Sequence, residues 1–482
     1  MKINFNPSNN ETYKVTNKQA CRMCGNWCDF EIAEISSENT ANPILKILSC
    51  STCKSINYEG EDPVIGYEDK TFSQDYWLHY VQVGAGITAM LEPLFALGHK
   101  CSGKLLDIGC GFGFVVDFWN KSEYGKAYGL EKAHYGAIGA NLLECPIYNS
   151  YYADCNELSG EKFDIVYSSE VLEHVKNPQE FINDISQALS PTGILVLTTP
   201  SADAVNIKNN PSDIIAALSP YFHYFLSSEV ALKNLLFKNG FQHVKVFNSG
   251  ERLFAWASKV ELPDINVGKI NWDKYFSYLL KLSTNNNPNI KTGALYRLFK
   301  DSWNTGSHDT AATAFSALEK FSLEQYGLSF RNPEIQRYLN RKSAVKNLDS
   351  DPAWYGGALL WGGMLVGHIE GNRVLKVRMI DAACSILEYE ASNLEFTQFS
   401  QEAQQFYPYA MNQRPIAYSE ALNQWIDASR SNKNINLDNL RPSLLCSLKL
   451  FNEIFPIHKK EIKWSLGFWK NKIKQYFANS LK

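Results

Sequence analysis

From Lys104 onward, short apolar runs alternate with longer stretches of helical period, the pattern of a parallel sheet with helices on both faces. The runs predict strands at Lys104–Ile108, Ala127–Leu130, Pro146–Tyr151, Phe163–Tyr167, Gly193–Thr198, His243–Asn248 and Arg252–Ser258. Only Ser-Gly-Glu separates the last two, which therefore pair antiparallel. After about Pro263 the period is helical, with helix pairs suggested at Ala311–Tyr326 and Val374–Glu390 and an Asn-rich loop or hinge at Thr284–Asn289. Before residue 66, strand-like stretches surround two pairs of cysteines. A chain of 482 residues exceeds one compact core, and the pattern predicts three parts, 1–65, 66–262 and 263–482.

Charge adds a constraint. A formal net charge of -3 exerts no global pull on nucleic acid, so no nucleic-acid partner is expected. The polar start, Met1–Ala20, lacks the apolar centre of a secretory signal, and the longest apolar run, Tyr355–Val366, is too short to span a bilayer. A cytoplasmic protein is expected, in which the eleven cysteines serve as metal ligands or small buried side chains. Cys21 and Cys24 in CRMCG, with Cys50 and Cys53 in SCSTC, have zinc-ribbon spacing: each tight turn aims two sulfurs at one ion. Four thiolates leave no open coordination position, so the predicted Zn2+ is structural, with Cys28 a buried bystander.

The string LLDIGCGFG, Leu105–Gly113, leaves an apolar strand and enters a helix, where glycines allow a sharp turn and close backbone approach. Nicotinamide and flavin enzymes use a related turn. Here it is followed by Glu131 ending AYGLE, Asp154 in YYADC, FDIVYSSEVLEHV at Phe163–Val175 and LSPTGILVLTTPS at Leu189–Ser201. This ordered series resembles class I S-adenosylmethionine (SAM) dependent methyltransferases, especially the branch of ubiquinone O-methyltransferases and sugar methyltransferases, over roughly residues 75 to 260. The resemblance implies a seven-stranded Rossmann-like α/β core and a SAM site. In that site Asp107, Gly109, Gly111 and Gly113 border the methionine part. Glu131 meets the ribose, Asp154, Cys155 and Ser169 line the adenine side, and Glu170 counts among the cofactor-binding residues. Tyr80 and Gly84 would lie on a lid helix.

Two histidines are candidates for removing the acceptor's proton, a task suited to imidazole. His174 follows Glu170 and Glu173; on a helix the three would share a face able to bind a hard divalent cation. That ExxEH string resembles one contributing to a metal site in quinone O-methyltransferases and small-RNA 2'-O-methyltransferases. LEH also occurs across the superfamily without metal, with the histidine packing or hydrogen-bonding. His223, in SPYFHYF, stands where the acceptor pocket forms in the family, with Tyr221, Phe222 and Tyr224 as apolar walls. Asn177 with Glu180, and Ser227 or Ser228, are expected helix caps.

The cysteine-rich start joined to this core resembles NDP-sugar C-methyltransferases, but the helical remainder departs from their further α/β domain. A faint likeness to tetratricopeptide hairpins there has no fixed period. The expected activity is methylation of an oxygen on a saccharide or other small polar acceptor. C-methylation of an NDP-linked keto-sugar, and a non-catalytic scaffold acting through the helical part, are the alternatives. At Phe455–Lys482, apolar positions at helical spacing run beside lysines, suggesting either a docking face or peripheral contact with an anionic membrane.

Overall fold

A computed structural model describes residues 2–6, 14–36, 44–59, 74–83, 86–340, 348–392 and 401–430. The chain divides into two compact units, Met1–Thr305 with Val345–Ala353 and Glu395–Phe399, and Gly306–Ala344 with Trp354–Leu394 and Ser400–Lys482. The basic segment Phe455–Lys482 lies outside the described residues, as does Gly84.

In the first unit, β1 (Lys2–Phe5), β2 (Lys14–Ala20), β3 (Trp27–Ser36), β4 (Ile44–Cys50) and β5 (Ile56–Tyr58) form an antiparallel sheet. Two helices follow, α1 (Gln74–Val83) and α2 (Ile87–Phe95). The α/β part then runs β6 (Leu105–Ile108), α3 (Phe114–Lys121), β7 (Ala127–Leu130), α4 (His134–Leu143), β8 (Ile147–Tyr148), β9 (Phe163–Ser169), α5 (Pro178–Ala188) and β10 (Leu189–Pro200). It continues with α6 (Pro211–Leu218), β11 (Phe225–Leu226), α7 (Glu229–Lys238), β12 (His243–Asn248) and β13 (Arg252–Ser258).

Seven strands form one sheet in the order β12-β13-β10-β9-β6-β7-β8. β6 to β10 are mutually parallel, and β12 and β13 make the antiparallel hairpin at the edge. All seven match strands expected from the apolar runs. β6 is buried along its whole length, Asp107 included, as a strand covered on both faces requires. Two strands differ in extent. β10 starts at Leu189, which pairs with Phe163 before an irregularity ahead of Ile194; β8 shrinks to two residues because only Ile147 and Tyr148 find partners on β7.

The segment before residue 66 is not a separate globule. β11, from the middle of the α/β part, pairs antiparallel with β5 (Phe225↔Asn57, Leu226↔Ile56). Cys21, Met23, Cys28, Cys50 and Cys53 share one apolar core with Ile182, Ile185, Leu195, Leu197, Leu232 and Leu235. The expected caps form: Asn177 accepts the Glu180 amide at 3.3 Å, and Ser228 accepts that of Ala231 at 3.1 Å.

Helices α8 (Trp272–Leu282) and α9 (Pro288–Asn304), expected in the C-terminal part, belong to the first unit. α9 lies tight against α1: a Cβ on Gly293 would stand 2.3 Å from the Val81 carbonyl oxygen. The buried Gln82 amide donates to Asn289 Oδ1 at 2.7 Å and accepts from the Ala353 amide at 2.8 Å. Arg297 donates to the Val81 carbonyl at 2.6 Å and places its guanidinium 5.3 Å from the Phe114 ring centre.

The second unit is helical: α10 (His308–Tyr326), α11 (Ile335–Leu339), α12 (Tyr355–Leu365), α13 (Arg373–Ser392) and α14 (Gln401–Arg430). α13 packs against both α12 and α14. α12 is apolar all round because it is buried, with a Cβ on Gly362 falling 2.7 Å from the Met379 methyl. Among the described residues no helix is long and apolar enough to cross a membrane.

One close approach sets the placement of α4. A Cβ on Gly139 would lie 2.0 Å from the Phe112 carbonyl oxygen, a backbone atom that cannot swing away. Gly139→Ala should therefore destabilise the first unit by about 1–3 kcal/mol, the usual cost of overpacking, measured as a lower urea midpoint. An unchanged midpoint would contradict this packing.

Candidate functional site

At the carboxyl end of β6 the chain turns through three left-handed glycines, Gly109 (φ 74), Gly111 (φ 58) and Gly113 (φ 92). Side chains rarely adopt this backbone conformation, and two of the positions lack room as well. A Cβ on Gly109 would strike the Val171 methyl at 2.4 Å and one on Gly113 the Ile147 methyl at 2.3 Å. At Gly111 the nearest atoms are the Tyr135 ring and the Tyr80 hydroxyl, both 3.7 Å away, so this glycine has the open side. Glu131, at the end of β7, closes the turn. It accepts the Gly111 amide at 3.0 Å with one oxygen and the Ala133 amide at 2.8 Å with the other. Burial raises the pKa of Glu131, against these amide bonds, and raises that of Asp107 well above the usual carboxylate range, with Glu131 adding to it. Two clustered carboxyls favour a positively charged occupant.

The other expected cofactor residues stand along the same carboxyl edge. Tyr80, on α1, stacks over Phe114 with ring centres 6.1 Å apart. Ser169 and Thr198 share a hydroxyl hydrogen bond of 2.8 Å between β9 and β10. Cys155 is buried, whereas Asp154 is exposed at the end of a single tight turn.

After β9 the expected helix bearing Glu170, Glu173 and His174 does not form. Glu170 takes φ 55, and Leu172–His174 makes one 3-10 turn, because the chain must bring Val171 down onto Gly109. Glu170 accordingly points elsewhere, pairing with Arg252 at 3.2 Å and accepting from the Thr198 hydroxyl at 2.9 Å. Glu173 turns inward and is completely buried. The structure replaces the expected trio Glu170, Glu173 and His174 with Glu173, His174 and His223.

In that trio Glu173 Oε2 accepts from the Thr199 hydroxyl at 2.9 Å, while Oε1 has no hydrogen-bond partner. The Nε2 atoms of His174 and His223 each lie 4.0 Å from this Oε1. His174 Nδ1 donates to the Phe222 carbonyl and His223 Nδ1 to the Ala217 carbonyl, both at 2.8 Å. A carbonyl only accepts, so both neutral rings carry their proton on Nδ1 and turn an Nε2 lone pair toward Glu173. Burial lowers the pKa of His174 to about 4 and puts that of His223 well below 6.5, with His174 adding to the effect. Burial, then Glu170, pushes Glu173 well above the usual carboxylate range. The sequence groups Glu173 with His174 but leaves His223 apart, because α5, β10 and α6 intervene between His174 and His223.

The four expected cysteines also meet, with all sulfurs within 4.8 Å of one another. Cys21 and Cys53 are 3.6 Å apart, as are Cys24 and Cys50. A tetrahedron with Zn–S bonds near 2.3 Å has edges of about 3.8 Å, so the donor set fits zinc. The two knuckles share one turn: Gly25 (φ 77) donates to the Cys21 carbonyl at 2.8 Å, and Lys54 (φ 64) to the Cys50 carbonyl at 2.9 Å. Cys28 is buried on β3 beside Cys50 and stands outside the group of four. A hydrogen bond with Cys21, and then burial, pushes the Cys53 thiol up to about 12, and hydrogen bonding with Cys28 is the largest influence taking Cys21 to about 12. Such crowded thiols ionise together only around a cation.

Residues 78–246 match the sequence model of a family described as a methyltransferase domain. Over this stretch the chain is similar to methyltransferase domains. The mitochondrial ubiquinone biosynthesis O-methyltransferase of Dictyostelium discoideum is 30% identical over 115 residues, covering 20% of this chain and 35% of that protein. The ubiquinone biosynthesis O-methyltransferase of Sinorhizobium fredii is 30% identical over 104 residues, 20% of this chain and 40% of that one. The chain thus spans well under half the length of these relatives. A SAM-dependent methyltransferase from Thermotoga maritima, described as a possible histamine N-methyltransferase, aligns with a TM-score of 0.30 at 16% identity, over 38% of this chain and 92% of that one.

Within residues 78–246 the histidine pair makes stability depend on pH. Unfolded histidine titrates near 6.5, so the low folded value of His174 favours the neutral ring. This contribution is complete above about pH 6.5 and is lost as pH falls toward 4, a change of roughly 2–4 kcal/mol. Glu173, raised in the folded state, acts in the opposite direction, so the histidine part is read as a difference between proteins. His174→Gln should cost more stability at pH 7.5 than at pH 4.5 in urea unfolding. Equal costs at the two pH values would contradict a buried neutral imidazole.

Proposed function

We propose that this chain transfers the methyl group of SAM to an oxygen of a saccharide or another small polar acceptor, beside a divalent cation held by Glu173, His174 and His223. The observation that carries this reading is the convergence of two Nε2 lone pairs on an unpartnered carboxylate oxygen, 4.0 Å from each, in a buried site. Two imidazole lone pairs and a carboxyl oxygen gathered at one point are held together favourably by a cation. With a pKa near 4, His174 is a weak base at neutral pH, which favours ligation over direct proton removal. A divalent cation there supplies acidity to an acceptor hydroxyl. The names of the curated relatives, as O-methyltransferases, support the same chemistry.

On the cofactor side, the turn through Asp107, Gly109, Gly111 and Gly113 would receive the methionine end of SAM, with Tyr80 above the open side of Gly111. Glu131 spends one lone pair of each oxygen on an amide and keeps another for the ribose hydroxyls. Cys155 and Ser169, with Asp154 at the rim, would border the adenine. The cysteine knuckles would hold a structural zinc ion with no open position.

Glu131→Ala should weaken SAM binding by about ten- to a hundredfold, the loss expected for hydrogen bonds to a charged group, as measured by calorimetry. Binding that survives unchanged would remove Glu131 from the cofactor site. The reaction itself is tested by SAM consumption over a panel of sugar nucleotides and glycan fragments, with mass spectrometry of products. The expected product is a methyl ether, formed only with added Mg2+ or Mn2+, and Glu173→Gln and His223→Ala should each lower kcat by about a hundredfold or more while SAM affinity holds. A methyl-branched carbon, or turnover insensitive to EDTA in protein that keeps its cysteine-bound ion, would overturn the proposal.

A further inference from the structure

The segment that carries His223 runs between α6 and α7 in a conformation its own sequence does not favour. Ser219 and Tyr221 both take left-handed backbone angles, φ 36 and φ 74, without being glycine. Such residues keep these angles only where surrounding structure imposes them. Much of that structure comes from the cysteine knuckles.

From the second knuckle, Cys50 to Cys53, the Cys53 carbonyl accepts from the Ser228 hydroxyl. Ser55 Oγ accepts the Ser228 amide at 3.2 Å, and β5 pairs with β11 through only two residues. The Tyr58 hydroxyl donates to the Leu218 carbonyl at the other end of the segment. A two-residue pairing is weak unless its strand is held elsewhere. From the first knuckle, Cys21 to Cys24, Arg22 donates to the Lys176 carbonyl at 3.4 Å and sets its guanidinium 4.8 Å from the Tyr224 ring centre. Arg22 thereby touches the chain just after His174 and just after His223. Asn57 on β5 holds the first knuckle, accepting the Arg22 amide at 3.1 Å and donating to Cys21 Sγ at 3.5 Å. The glycine turn is anchored differently, through amides given to Leu130 and Glu131 on β7.

We infer that an ion in the four-cysteine site acts as a latch for the acceptor half of the active site: it joins the two knuckles, and the knuckles fix the 217–228 segment so that His223 meets His174 and Glu173. The SAM half does not depend on it. This rests on the reading that the cysteines hold a metal ion. It does not require the histidine cluster to bind one.

The test uses the full chain, with its zinc content measured before and after chelation under reducing conditions. Hydrogen exchange read by mass spectrometry follows residues 217–228 and 105–113, and calorimetry follows SAM. Release of zinc should speed exchange in 217–228 by about tenfold or more, leave 105–113 within about twofold, and keep SAM affinity within about threefold, with zinc addition restoring protection. Arg22→Gln, which keeps all four cysteines, should retain zinc and speed exchange around 172–178 and 222–228 by about threefold or more. An unchanged 217–228 segment after release of a bound ion would overturn the latch, and so would loss of protection at 105–113 together with SAM binding. A chain that holds no ion at the cysteines would overturn the reading beneath it.

Discussion

Two imidazole nitrogens and one carboxyl oxygen face one another at the carboxyl edge of the main sheet, on His174, His223 and Glu173. Glu173 Oε1 has no partner, and the Nε2 lone pairs of His174 and His223 point at it from 4.0 Å. Neither ring can turn its proton inward without breaking an Nδ1 bond to a backbone carbonyl. Lone pairs gathered away from water are costly unless they are paired, and a cation between them removes the cost. The proposed chemistry follows from this one arrangement, and burial of the same cluster raises the Glu173 carboxyl and lowers both imidazoles.

The fold pursues that arrangement through close approaches. Val171 sits so near Gly109 that a Cβ there would fall 2.4 Å from its methyl, which links the glycine turn to the strand end bearing Glu173. Tyr224 donates its amide to the Glu173 carbonyl at 2.8 Å, which links the same strand end to the segment bearing His223. That segment in turn pairs with β5 and the cysteine knuckles. Glycine turn, acid–imidazole cluster and knuckles therefore lie in one unit, with the knuckles backing the cluster and β7 anchoring the turn.

Much of this was legible in the residues. The strand pattern is local and apolar, so all seven strands of the main sheet and its hairpin follow from it. Paired cysteines at fixed spacing and the caps at Asn177 and Ser228 rest on equally local rules. What local rules missed is where elements distant in sequence meet. A helical period suggested Glu170 beside Glu173, but the approach of Val171 to Gly109 breaks the helix, and Arg252 and Thr198 claim Glu170 instead. His223 joins the cluster through folding of the α6–α7 segment, for which the sequence near His174 carries no signal. α8 and α9 look like the helices after them; the buried Gln82, Asn289 and Arg297 that bind α9 to α1 become telling only in three dimensions.

The central claim is that Glu173, His174 and His223 form one cation site. Titration of the chain with Mn2+, after its four-cysteine site has been supplied with Zn2+, followed by electron paramagnetic resonance, tests it most directly. The account predicts one bound Mn2+ per chain, with binding weakened by about tenfold or more in Glu173→Gln and nearly unaffected in Glu170→Gln. Absence of a bound Mn2+ in the wild-type chain, or binding that survives Glu173→Gln, would contradict it.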